Sequence, residues 1–186
     1  MSSKITPAMQ ALFIHPEITK ASTLPASFYL DPEWFEHSKS ALWEKSWIYA
    51  ADSSVVQTPG QVHPLSLLEG VLDEPILFSR DANDNVHCLS NVCTHRGKVL
   101  VEKGGKHRLL SCGYHGRCFS LDGRFRSMPG FEGVEHFPSD ADHLHPIAFK
   151  EWLDMLFVSL DPAIDFREWI RPVMDRVHWM PLHTLR

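Results

Sequence analysis

No apolar run in this 186-residue sequence approaches the ~20 residues that a bilayer span needs. The opening Met1-Ser-Ser-Lys-Ile-Thr-Pro7 also lacks the apolar stretch of a secretory signal, so a soluble cytoplasmic protein is expected. Charge of one sign is missing too. There are 18 Lys and Arg against 23 Asp and Glu, net -5, and no block of like charge, which argues against a nucleic-acid partner. The chain has no internal repeat and no low-complexity segment. Cysteine is scarce, with four residues, and without a secretory signal the reducing cytosol favours metal ligation over two disulfides.

What is present divides the chain into three parts. Residues 1–52 form an N-terminal extension, with irregular chain broken by Pro7, Pro16 and Pro25 and then an amphipathic helix from Asp31 to about Trp47. Asp31 is placed as its N-cap, Pro32 at the first helical position and Glu33 in the first turn. Trp34, Phe35, Ala41, Leu42, Trp43 and Trp47 recur on one face, which asks for a partner surface such as a further domain. Residues 53–161 alternate short apolar stretches with turn signals at Pro59-Gly60, Glu69-Gly70, Asp81 to Asn85, Gly104-Gly105 and Asp122-Gly123. That pattern predicts a mainly β, antiparallel domain whose inner strands are 75–79 and 155–160, rich in Ile, Leu, Phe and Val. Residues 162–186 begin with a short helical stretch, interrupted at Pro172.

Two segments carry chemistry. Cys93-Thr94-His95-Arg96-Gly97 is a Cys-x-His, and Cys112-Gly113-Tyr114-His115-Gly116 is a Cys-x2-His, the two separated by residues 96–111. Each segment thus offers one sulfur and one nitrogen. A Rieske [2Fe-2S] centre needs that division, because one iron takes two thiolates and the other two imidazoles. Cys93 and Cys112 would bind one iron, and His95 and His115 the other. Two neutral imidazoles leave the oxidised cluster with a charge of about zero rather than about minus two, which raises the potential into a range of roughly -150 to +300 mV. Gly97, Gly113 and Gly116 suit backbone that must bend tightly around a cluster. Zinc also takes two Cys and two His, but structural zinc sites usually pair like ligands, as C-x2-4-C and H-x3-5-H.

The segments Asn91-Val-Cys-Thr-His-Arg-Gly97 and Ser111-Cys-Gly-Tyr-His-Gly116, followed by Phe119, Asp122 and Gly123, resemble the Rieske domain of ring-hydroxylating oxygenase α subunits, the Rieske non-haem iron oxygenases. The likeness extends to residues 24–29, to the 31–47 helix and to residues 157–162. It implies a Rieske-type β-sandwich with two cluster-binding loops. It also implies single-electron transfer from a reductase or ferredoxin to mononuclear iron in an oxygenase catalytic domain, for which residues 162–186 would be the connector. The family further implies a homo-oligomer, commonly a trimer. Respiratory Rieske proteins are similar at the ligands but carry a disulfide between the loops, where this chain has Lys98 and Tyr114. Arg117 departs from the pattern, since many relatives have Trp after His-Gly, and it places a charge beside the cluster. A free-standing Rieske ferredoxin-like carrier is the alternative, and a structural zinc domain a remote one.

The remaining candidates have plainer readings. Asp175, His178 and His183 have the spacing of the family's catalytic Asp and two iron ligands, but no later carboxylate completes the set, and we read them as a decoy. His63, His87 and His107 are expected on strands or hairpin rims. Asp140, Asp142, His143 and His145 read as a solvated polar loop, and Cys88 and Cys118 as small apolar side chains packed in the sheet.

Overall fold

The structure, a computed structural model, describes residues 14–184. The expectation of irregular chain around Pro7, like Leu185 and Arg186, lies outside the described residues. After a single 3-10 turn at Ile18–Lys20, a short helix α1 (Ala26–Leu30) forms within a segment expected to be irregular. Asp31 breaks the chain in extended conformation, and its carboxylate accepts the Glu33 amide at 3.0 Å, starting α2 (Pro32–Ser38). The expected helix to Trp47 is cut short. It widens into a π-helical turn, Lys39–Trp43, where the Glu44 amide reaches the Lys39 carbonyl at 2.9 Å, and then ends. Trp47 is instead drawn into this chain's own core, 6% exposed, with its indole Nε1 donating to the Ile164 carbonyl at 3.0 Å. Tertiary burial overrides the helical periodicity there. Phe35 and Leu42 stay exposed.

Among the described residues ten strands form three antiparallel sheets. The first has the order β1-β10-β9, with β1 (Ile48–Asp52), β9 (Ala148–Trp152) and β10 (Met155–Ser159). The second has the order β4-β3-β2-β5, with β2 (Gln61–Leu67), β3 (Glu74–Arg80), β4 (Val86–Ser90) and β5 (Gly105–Lys106). The third is small: β6 (Leu110–Ser111), β7 (Cys118–Phe119) and β8 (Phe125–Ser127). The antiparallel β fold expected from the sequence is the one observed, and β3 and β10 are central in their sheets.

Three expectations need correction. The sheets begin at Ile48, ahead of the expected boundary at residue 53, because 48–52 pairs with β10, Ile48 opposite Val158 and Asp52 opposite Met155. Gly105 does not turn but opens β5, pairing with Val62. The C-terminal helix, α3 (Phe166–Val177), runs through Pro172 without interruption. Pro172 lies on the exposed side, so the Glu168 carbonyl that loses its amide partner is left to water.

Alternation along β3 explains why the chain builds two cores around one strand. Ile76 and Phe78 point into a core shared with Val56, Leu67, Leu156 and Val158, which joins the first two sheets. Leu77 points the other way, into a core with Leu110, Phe119, Leu121 and the two motif cysteines, Cys93 and Cys112. Ser79, fully buried on that side, donates its hydroxyl to the Leu121 carbonyl at 2.5 Å. A strand covered on both faces reads as a continuous apolar run, as this one does. Each fully buried Ile, Leu or Phe contributes about 1.5–3 kcal/mol relative to exposure. A third cluster, Trp47, Phe157, Phe166 and Ile170, seats α3 on the outer face of β10.

Candidate metal centre

The two motif segments fold as copies of one loop. In the first, the Cys93 amide donates to the Lys98 carbonyl at 2.8 Å and the Gly97 amide to the Cys93 carbonyl at 3.0 Å. In the second, the Cys112 amide donates to the Arg117 carbonyl at 2.8 Å and the Gly116 amide to the Cys112 carbonyl at 3.0 Å. Gly97 and Gly116 occupy the same place with φ of +70° and +71°, the left-handed region that glycine adopts without penalty. Gly113 has no such demand, and a Cβ there would meet only Lys98 Cε, at 3.8 Å. Equivalent loops thus accommodate the unequal Cys-x-His and Cys-x2-His spacings.

The loops bring all four expected residues together. Cys93 and Cys112 are 2% and 4% exposed and belong to the apolar core, while His95 and His115 sit half-buried at the rim, ring centroids 4.8 Å apart. Tyr114 stacks on His115 at 3.7 Å, and Phe131 flanks His95 at 6.1 Å. Burial pushes the Cys93 thiol up. At Cys112 burial also acts upward, but amides of Tyr114 and His115, the Cys93 thiol and the Lys98 ammonium outweigh it, so the thiol lies below its ordinary value. His95 is held below the usual imidazole range by loss of water, then by repulsion from His115, Arg96 and Arg117. A thiol biased toward thiolate beside a neutral imidazole is the donor chemistry that iron requires.

The residues present fit a [2Fe-2S] cluster. His115 Nδ1 is buried with no hydrogen-bond partner, an arrangement that is costly for an imidazole nitrogen unless something else engages it. Among the described residues no three His, Cys, Asp or Glu side chains group as ligands of one ion would. The side chains come as a sulfur pair and a nitrogen pair, which suits two irons, each taking two protein ligands.

Other sequence candidates are placed elsewhere. Cys88 is buried on β4, its thiol pushed up to about 12 by burial, and Cys118 lies on β7 with Sγ 3.3 Å from the Ser111 hydroxyl. His63 lies on β2 and His107 follows β5, while His87 on β4 pairs with Asp81 at 2.9 Å. The loop read as a solvated surface is not merely that. Asp142 binds Arg117, its carbonyl accepts the Thr94 hydroxyl at 2.9 Å, and His143 Nδ1 accepts the Phe125 amide at 3.0 Å. Sequence reasoning missed Asp142 and Thr94, since their partners are distant in the chain. At the decoy, Asp175 and His178 sit at the end of α3, where His178 Nδ1 donates to the Asp175 carbonyl at 2.7 Å. His183 falls in a 3-10 turn, Leu182–Thr184. No described helix is long and apolar enough to cross a membrane.

Fold and site together have the form of a Rieske-type iron–sulfur protein, with two like loops that each offer one sulfur and one nitrogen. The Rieske [2Fe-2S] domain model matches residues 46–138, half of the chain. The carnitine monooxygenase oxygenase subunit of Escherichia coli (strain K12) is 33% identical over 144 residues, covering 77% of this chain and 37% of that protein. The chloroplastic choline monooxygenase of Beta vulgaris is 30% identical over 175 residues, covering 89% of this chain and 38% of that protein. Among solved structures, a quaternary ammonium Rieske monooxygenase in complex with its substrate L-carnitine superposes with a TM-score of 0.76 at 28% identity, covering 86% of this chain and 45% of that one. The chain belongs to the Rieske [2Fe-2S] family, and its likeness is to the N-terminal Rieske part of oxygenase α subunits. It spans less than half the length of these relatives.

Proposed function

We propose that Cys93 and Cys112 hold one iron of the cluster, that His95 and His115 hold the other, and that this chain takes in single electrons for an oxygenase. The observation that carries the ligand assignment is the pair of like loops, with both thiols inside the core and both imidazoles at the rim. A Rieske [2Fe-2S] cluster supplies a site that accepts and returns one electron. The protein's part is to exclude water around the thiolates with Leu77, Leu110 and Phe119, and to donate the amides of Tyr114 and His115 toward the Cys112 sulfur. The rim imidazoles offer the outward route, His95 being flanked by Phe131 and His115 by Tyr114.

A reductase or ferredoxin would donate the electron, and mononuclear iron in a catalytic domain would receive it, with residues 162–186 as the connector. The domain lies in the cytoplasm, binds neither nucleic acid nor membrane, and works in a homo-oligomer, a trimer by family resemblance. The names of the relatives support a quaternary ammonium compound as the substrate of the whole protein.

The test is to load the full chain with iron and sulfide, reduce it, and record electron paramagnetic resonance. A Rieske spectrum is expected, absent in Cys112→Ser and lost or converted to another cluster type in His115→Ala. An unchanged spectrum in either variant would sink the ligand assignment. An intact mass of the native protein roughly double 21.3 kDa is expected from an added catalytic domain. A mass near 21.3 kDa would favour a free-standing carrier or a split oxygenase instead.

A further inference from the structure

The two ligand loops are built alike, but the cations that follow their glycines are treated differently. Lys98, after Gly97, is exposed, its stem lying near Gly113 of the other loop and its ammonium 3.4 Å from Glu102. Arg117, after Gly116, is 3% exposed, with its guanidinium over the rings of Phe125, Phe137 and Phe119 at 5.1, 5.5 and 5.8 Å. A buried guanidinium is costly without a partner, and here Nη2 donates to the Asp142 carboxylate. Asp142 is itself held by Ser139, whose amide and hydroxyl donate to the other carboxylate oxygen at 2.7 and 2.9 Å.

The main chain of Asp142 then meets the opposite loop, because its carbonyl accepts the Thr94 hydroxyl at 2.9 Å. Thr94 stands between Cys93 and His95, and Arg117 closes the second loop by accepting the Cys112 amide on its carbonyl. The backbone hydrogen bonds that close each loop are internal to it, so they set its shape but not its distance from the other. The run Thr94, Asp142, Arg117 spans that gap and touches each loop next to a ligand.

We propose that Thr94, Asp142 and Arg117 form a brace that fixes the spacing of the two Cys/His pairs, with Arg117 and Asp142 as positioning residues for the cluster. The brace rests on the ligand assignment proposed above. It predicts that loosening any member spreads the cluster's geometry and lets iron escape, without removing a ligand. Arg117 cannot be replaced by a general cation, since only a planar fork both lies over the three rings and meets the carboxylate.

Thr94→Val, Asp142→Asn, Arg117→Lys and Arg117→Met would be made in the full chain and loaded with cluster. Their resonance line widths and rates of iron loss to a chelator would be compared with wild type. Thr94→Val removes one hydroxyl from an exposed position and leaves the fold intact. It is expected to lose iron about fivefold faster, the worth of one hydrogen bond. Asp142→Asn is expected to lose iron tenfold faster or more, with a broadened signal, because it strands a buried charge. Arg117→Lys should fall between wild type and Arg117→Met. A residue needed only for folding would lower the melting temperature without moving the signal of the molecules that remain folded. Folded Thr94→Val and Asp142→Asn with wild-type line width and iron-loss rate would overturn the brace. If the wild-type chain takes no Rieske cluster, the ligand assignment falls and the brace with it, whereas a loaded wild type beside unmoved variants removes the brace alone.

Discussion

Gly116 and Gly113 belong to one loop and look equally suited to a cluster in the sequence, but their backbones make different demands. Gly116 is at φ +71°, and a Cβ there would approach Pro129 Cγ to 3.3 Å. Gly113 has an ordinary φ and room for a methyl group. Gly116→Ala is therefore expected to cost about 1–2 kcal/mol, the penalty for an L side chain in the left-handed region, and Gly113→Ala under about 0.5 kcal/mol. Denaturant unfolding of the two variants checks this, and equal losses would contradict it. That Cys93, His95, Cys112 and His115 share one site was legible because sulfur and nitrogen at Cys-x-His and Cys-x2-His spacing is a local pattern. Arg117 was legible only as an added charge. The rings of Phe125 and Phe137 that cover it, and the Asp142 that pairs with it, arrive from later chain and leave no local signal.

Among the elements, the hairpin from β3 to β4 turns on Asp81. Its carboxylate accepts the amides of Asn83 and Asn85 at 2.8 and 2.9 Å and pairs with His87 at 2.9 Å. Burial acts to raise this carboxyl, but the bonds from His87, Asn85 and Asn83 outweigh it and bring it from 3.8 down to about 2. A carboxyl depressed in the folded state adds stability above its unfolded value, and that stability is lost as pH falls through the folded value. The full shift corresponds to about 2 kcal/mol, reduced by solvent at this surface turn to about 1 kcal/mol. Asp81→Asn should thus melt about 2–4 °C below wild type at neutral pH, and the gap should close between about pH 4 and about pH 2. Melting curves that keep the same gap at both ends would refute it. This turn and both inner strands were readable because their signals are short-range. The π-helical end of α2 and the passage of α3 through Pro172 were not. The first depends on Trp47 finding Phe157 and Phe166, and the second on Pro172 facing solvent.

At the scale of the whole molecule the packing of the described residues divides into three clusters, and the cysteines of the two proposed ligand loops belong to one of them. Cys93 and Cys112 are themselves members of the core that holds Leu110, Phe119, Leu121 and Leu144, so under the proposed ligation removing the cluster would strip this core of a central tie. The core between the first two sheets, with Ile76, Phe78, Leu156 and Val158, contains none of the four proposed ligands. The cluster that seats α3, with Trp47, Phe157 and Phe166, contains none either. The short strands β6, β7 and β8 have little ladder of their own, two or three residues each, and depend on the ligand core for order. Local opening follows such differences in packing. When iron is chelated from the loaded protein, hydrogen exchange is expected to accelerate first at the amides of Gly97, Cys112 and Gly116 and along β6 to β8. The amides of β3, β9 and β10 should keep their protection, because their ladders and apolar contacts do not pass through the site. Equal loss of protection in β10 and in the ligand loops would show that the three cores open as one unit, with the cluster supporting the whole fold rather than its own third of it.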